Sequence, residues 1–137
     1  MTGFVENLFG LKGRVAAVTG GGGYLCGEMA RGLAQAGCRV AVMDIRLGKA
    51  EDMARQIRDE LGGDAIGVEV DASDKASFRA GLAATLDAFG QADILINGAG
   101  INAPTPFLEI ELDEFHAVMN SQITSTLLGC QCFGEHM

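Results

Sequence analysis

The sequence predicts an α/β protein: a parallel, doubly wound sheet with helices on both faces, forming three layers. Two observations predict it. Short, nearly continuous apolar runs alternate with stretches of helical period, and such alternation with short connections is the pattern of parallel strands joined by right-handed crossovers. Glycine accounts for 20 of 137 residues, about twice average usage. The glycines cluster at 20–23, 62–63 and 98–100, where strands should end.

The elements follow in order. Arg14–Thr19 reads as a strand buried on both faces, stopped by Gly20–Gly23. Leu25, Met29, Leu33 and Ala36 recur at helical spacing, and Gly37 closes that helix. Arg39–Asp44 is a second buried strand. Ala50, Met53, Ala54, Ile57 and Leu61 form the stripe of a second helix, which Gly62 and Gly63 stop. Ala65–Val70 is a third strand. Ser73 is placed to cap a third helix with Phe78, Leu82, Leu86 and Phe89 as its stripe. Asp93–Asn97 is a fourth strand. A long loop over 98–111 holds Pro104 and Pro106, and a last helix follows with Phe115, Met119, Ile123, Leu127, Cys130 and Phe133 expected inward.

Composition narrows the function classes. One domain fits in 137 residues, with little room for a separate substrate domain. A net charge of −8 argues against a nucleic-acid binder, which needs a basic face. No apolar run approaches the roughly 18 residues of a membrane helix, and the start at Met1–Glu6 lacks the basic flank of a secretion signal. Cys26, Cys38, Cys130 and Cys132, with only His116 and His136, make no zinc pattern. They read as small buried thiols in a reducing cytoplasm. No metal site is expected.

In a doubly wound sheet, ligands bind beyond the carboxyl ends of the strands, where the strand order reverses. That gathers residues 19–25, 44–46, 71–72 and 97–100 around one crevice. The glycine run after the first strand lets backbone approach a pyrophosphate, with helix N-terminal amides facing the anion. The G-x-G-x-x-G fingerprint is absent, since Leu25 and Cys26 stand where its last glycine would fall. Asp44 can accept hydrogen bonds from both ribose hydroxyls of an adenosine and repel a 2′-phosphate. Arg46 nearby can instead receive that phosphate. Asp71 and Ala72 end the third strand, placed either at an adenine edge or in a helix cap. Asn97, Gly98 and Ala99 end the fourth, where small residues leave room for a flat cofactor and Asn97 can tie neighbouring strands together.

Taken together, these turns resemble the short-chain dehydrogenase/reductase family. The family pattern is T-G-x-x-x-G-x-G after strand one, an acidic residue after strand two in NAD users, an aspartate after strand three and N-N-A-G after strand four. Here those positions hold Thr19-Gly20, Asp44, Asp71 and Asn97-Gly98-Ala99-Gly100. The resemblance spans residues 10–137 and implies a Rossmann-like fold, of which this chain is the first four strands and their helices. It implies a cofactor site of Thr19, Gly20, Gly22, Gly23, Tyr24, Leu25, Asp44, Asp71, Ala72, Asn97, Gly98 and Ala99, taking NAD in preference to NADP. It also implies that Asn120, in the last helix, holds a water near the active site. Tyr24 and Cys26 replace the family's second and third glycines, and Gly98 its second asparagine. Residues 20–30 and 97–104 look like the branch that interconverts fructuronate and mannonate.

The family's proton transfer uses a serine and a Tyr-x-x-x-Lys pair. The chain has one tyrosine, Tyr24, and Glu28 lies four residues on. Lys12, Lys49 and Lys75 follow Leu8, Ile45 and Asp71 at that spacing. Residues 1–137 are therefore expected to be a single dinucleotide-binding domain, the cofactor half of an oxidoreductase acting on a small carbonyl or alcohol. Two alternatives stay open: a non-catalytic dinucleotide-binding module and a nucleoside-diphosphate-sugar enzyme. His116 reads as solvated or packed. Glu109, Glu111, Asp113 and Glu114 suit a helix N-terminus without any site. The resemblance further implies a homodimer or homotetramer through the last helix.

Overall fold

The computed structural model describes residues 3–137; Met1 and Thr2, the first residues of the segment read for a secretion signal, lie outside the described residues. The elements are α1 (Phe4–Phe9), β1 (Val15–Thr19), α2 (Tyr24–Gln35), β2 (Arg39–Asp44), α3 (Leu47–Leu61), β3 (Ala65–Glu69), α4 (Lys75–Phe89) and β4 (Ile94–Ile96). A short 3₁₀ turn at Phe107–Glu109 interrupts the long loop that follows. The last helical run is α5 (Leu112–Met119), a π-helical turn over Asn120–Thr124, and α6 (Ser125–Gly134).

All four strands are parallel, in the order β3-β2-β1-β4. Both faces of the central strands are buried. Ala16, Val18, Val40 and Val42 face Cys26, Ala30, Ala50, Ala54 and Ile57 of α2 and α3. Val15, Ala17, Ala41 and Met43 face Phe78 and Phe89 of α4 and Phe133 of α6. These two apolar layers make the three-layer sandwich, and they explain why the strands read as continuous apolar runs. Asp93 locks the bottom of the sheet. Its carboxylate accepts from the Val15 amide at 2.8 Å, from Gln91 at 2.7 Å and from Arg14 at 3.1 Å. The Val15 amide above all, then Gln91 and Arg14, hold that carboxyl below the ordinary range.

Three expectations are corrected. The cap of α4 is Asp74, whose carboxylate accepts from the amides of Ala76 and Ser77 at 3.0 and 3.2 Å. Ser73 instead turns its hydroxyl back onto Asp71 at 2.7 Å. A carboxylate one residue closer to the helix meets the free first-turn amides, and its charge strengthens the bonds.

The inward face of α2 is Cys26, Gly27 and Ala30, while Leu25 and Met29 are exposed. A Cβ on Gly27 would come within 2.5 Å of the Met53 methyl and 3.2 Å of the Gly21 carbonyl. The small residues thus take the close contact with the sheet and with α3, Leu25 and Met29 rotate outward, and Leu33 stays packed against the core.

The last helical run shows the same inversion. Phe115, Met119, Ile123, Leu127 and Cys130 are exposed; Phe133 is buried as expected, and Ser125, Gly129 and Cys132 are buried with it. A Cβ on Gly129 would lie 2.3 Å from Asn97 Oδ1 and 3.2 Å from the Phe78 ring. The small residues Ser125 and Gly129 let α6 settle onto α4 and the end of β4, and Phe133 fills the core with Phe78 and Phe89. The extra residue per turn at 120–124 also rotates the two halves relative to each other. Of the four cysteines, Cys26, Cys38 and Cys132 are buried and Cys130 is exposed; all are free thiols. No helix among the described residues is long and apolar enough to cross a membrane, and these residues hold no cluster of potential metal ligands.

Candidate functional site

The strand order reverses between β1 and β4, and a crevice of about 540 Å³ opens at the carboxyl ends of the strands there. Its floor begins at Gly20, the first residue after β1. Gly20 has φ +67°, a conformation that L side chains rarely adopt. A Cβ there would also stand 3.0 Å from the Gly98 carbonyl oxygen and 3.2 Å from Ala99 Cα. The turn closes through the Gly23 amide donating to the Gly20 carbonyl at 3.0 Å. Gly23 then caps α2, and the first bond into that helix runs from the Gly27 amide to the Gly23 carbonyl at 2.9 Å. The amides of Tyr24, Leu25 and Cys26 therefore have no acceptor one turn back within the helix. They form the positive end of a helix of 12 residues beside the crevice.

Thr19 joins the two turns. Its hydroxyl donates to the Ile96 carbonyl at 3.3 Å and accepts from the amides of Gly98 and Ala99 at 3.1 and 3.2 Å. This is the strand-tying role expected of Asn97, and a buried hydroxyl between adjacent strands does it. Asn97 points the other way, towards α6, with its amide donating to Cys130 Sγ at 3.5 Å and its Oδ1 buried without a partner.

Asp44 ends β2 at the opposite wall and is only 6% exposed. Its Oδ1 accepts from the Arg46 amide at 3.0 Å, and the Arg46 guanidinium stands 3.6 Å away, largely in solvent. Asp71 accepts from the Ser73 hydroxyl and amide, and these bonds hold its carboxyl below the ordinary range. Cys26 lines the floor; burial first, and the charge of Asp44 second, push its thiol upward.

Of the residues assigned to a cofactor from sequence, Gly20, Gly23, Leu25, Asp44, Asp71, Ala72, Gly98 and Ala99 line this one crevice. Thr19 lies beneath it. Three do not line it. Tyr24 is 88% exposed and is not among the residues of the crevice wall. Gly22 is wedged behind the wall, where a Cβ would lie 2.9 Å from Asp44 Oδ2 and 2.6 Å from Lys49 Cβ. Asn97 faces α6. Asn120 stands at the start of the π turn, beside a separate shallow depression shared with His116, Met119 and Ile123. The neighbouring Ser121 faces the crevice instead, with its hydroxyl accepting from the Ile101 amide at 3.0 Å. Sequence reasoning missed Cys26, Val70, Ser73, Ile101 and Ser121 as lining residues. For Ser121 no sequence signal existed, because the π turn alone decides which helix residue faces the crevice.

The crevice suits a dinucleotide. Its floor is bare backbone at Gly20 and Gly98, a helix N-terminus offers amides to an anion, and a carboxylate stands ready for hydroxyls. Among the described residues, no histidine, lysine or tyrosine lines it.

Comparison with known proteins agrees with this geometry. The family profile described as short chain dehydrogenase matches residues 14–137. An uncharacterised oxidoreductase of Bacillus subtilis is 34% identical over 93% of this chain and 51% of its own length. The D-threitol dehydrogenase of Mycolicibacterium smegmatis is 33% identical over 94% of this chain and 49% of its own. A crystal structure of a short chain dehydrogenase/reductase from Burkholderia phymatum in complex with NAD superimposes with a TM-score of 0.86 at 28% identity. It covers 94% of this chain and 46% of that one. The chain spans about half the length of the relatives it matches.

Proposed function

This chain belongs to the short-chain dehydrogenase family, and from that premise we propose that it is the cofactor-binding half of an NAD-dependent oxidoreductase. The enzyme would move a hydride between nicotinamide and a carbonyl or alcohol, with a sugar acid as the substrate class. The observation that carries the reading is the convergence of Gly20, the first amides of α2 and buried Asp44 on one crevice. Gly20, Gly23 and the α2 amides would hold the pyrophosphate, Asp44 the adenosine ribose, and Asp71 and Ala72 the adenine side. The nicotinamide supplies the hydride chemistry when bound. The sugar-acid class rests on the resemblance at residues 20–30 and 97–104, and a structural relative bound to NAD supports the cofactor class. Asn120, by family resemblance, would hold a water for a catalytic segment carrying the serine, tyrosine and lysine. The unpaired thiols support a cytoplasmic setting.

NAD is favoured over NADP because the Asp44 carboxylate faces the crevice and is oriented by the Arg46 amide. Asp44→Ala should shift the NADP to NAD affinity ratio by roughly tenfold or more towards NADP, since a carboxylate within contact distance repels a phosphate. Calorimetric titration of both cofactors checks this. Tighter binding of NADP by the parent chain would mean that Arg46 governs the site.

Phe115, Met119, Ile123 and Leu127 form an outward apolar stripe on the last helical run. The reading seats this stripe against a second copy, giving a homodimer or homotetramer. Leu127→Glu should lower the mass seen by analytical ultracentrifugation to that of the monomer. An unchanged assembly would place the contact elsewhere.

A further inference from the structure

Two departures from the family pattern meet in space. They are Cys26 and Gly98, the residues at the pattern's third glycine and second asparagine. A Cβ on Gly98 would lie 2.2 Å from Cys26 Sγ and 2.9 Å from the Thr19 carbonyl oxygen, but 3.5 Å from Cys26 Cβ. The sulfur atom alone, not the rest of the cysteine, occupies the space that a side chain at residue 98 would take. The thiol also donates to the Gly98 carbonyl at 3.7 Å. That same carbonyl faces Gly20, whose Cβ position lies 3.0 Å from it. Gly20, Cys26 and Gly98 all line the crevice.

We infer that Cys26 is a positioning residue of the dinucleotide site: its sulfur fills the space beside Gly98 and its thiol holds the Gly98 carbonyl, setting the distance between the first and fourth strand turns. This rests on the dinucleotide reading above and adds a residue to it. Burial and the nearby Asp44 charge keep the thiol protonated, which is the donor form that the contact needs. In this chain the bulk between the two turns sits at residue 26 and none at residue 98. The consequence is that a side chain at residue 98 is better tolerated once the sulfur at residue 26 is gone.

The test is NAD titration by calorimetry, with a thermal melt, on the parent chain and on Gly98→Ala, Cys26→Ala, Cys26→Ser and Cys26→Ala with Gly98→Ala. Gly98→Ala should weaken NAD binding by about tenfold or more, because the new methyl meets the sulfur and displaces the turn. Cys26→Ala should cost a few-fold, and Cys26→Ser, which keeps a donor, should stay near the parent. The double variant should bind more tightly than Gly98→Ala alone, short of full recovery because the Thr19 carbonyl still presses on residue 98. If Gly98→Ala does not fold, recovery of both folding and NAD binding in the double variant supports the inference equally. Additive losses, a double variant no better than Gly98→Ala, or melts that recover without affinity would overturn it. A parent that binds no NAD would sink the dinucleotide reading itself, and this inference with it; a binding parent with an uncoupled pair sinks only this inference.

Discussion

Assayed by itself, the 137-residue chain should transfer no hydride between NAD and any sugar acid or alcohol, even where it binds the dinucleotide. Proton transfer to or from the substrate oxygen needs a group of suitable pKa within hydrogen-bond reach, and such a group is worth about 10²–10⁴ in rate. The crevice offers none. Tyr24, the single tyrosine, is 88% exposed and turned outward. Lys75 donates to Gln131 of α6 at 2.8 Å, Lys49 packs against Gly22, and neither lines the crevice. Asp71 is held below the ordinary range and stays an anion at neutral pH. The measurement is the change in absorbance of the reduced nicotinamide, with the chain's mass confirmed. Turnover would show that the catalytic group lies within these residues.

The second large effect separates two glycines that look alike in sequence. Gly22→Val should lower folding stability by about 1–3 kcal/mol or more, since overpacking a filled contact forces backbone to move. The new side chain would drive into Lys49 and Asp44. The melt should fall by roughly 2–4 °C or more for each kcal/mol. Gly20→Val meets the crevice directly. Its φ of +67° strains a β-branched residue, and its Cβ presses on the Gly98 carbonyl. For that variant the loss of NAD affinity should exceed what the melt accounts for. Calorimetry on each variant, below its melting temperature, tells the two apart. Equal affinity losses in both, with unchanged melts, would mean that Gly22 also contacts the cofactor.

What the amino-acid sequence determined was the order and type of the elements and the carboxyl-end crevice. Short continuous apolar runs such as Val15–Val18, stopped by glycines and alternating with helical periods, read as strands covered on both faces. Right-handed crossovers then leave few topologies, and the glycine turn and Asp44 fall at one end of the sheet in each of them. Which face each helix presents was decided by the tertiary structure. In α2 and α6 the stripe of large apolar residues marks a helix, yet the buried face is the one with Gly27 or with Ser125 and Gly129. Close packing rewards the face that lets backbones approach, and periodicity cannot weigh that against side-chain hydrophobicity. The same holds within the site. Gly22 lies two residues from Gly20 but behind the wall, Asn97 looks away from the crevice, and the π turn brings Ser121 to it while Asn120 lies outside. Sequence separation sets which residues share a turn; only the packed backbone sets which way each one points.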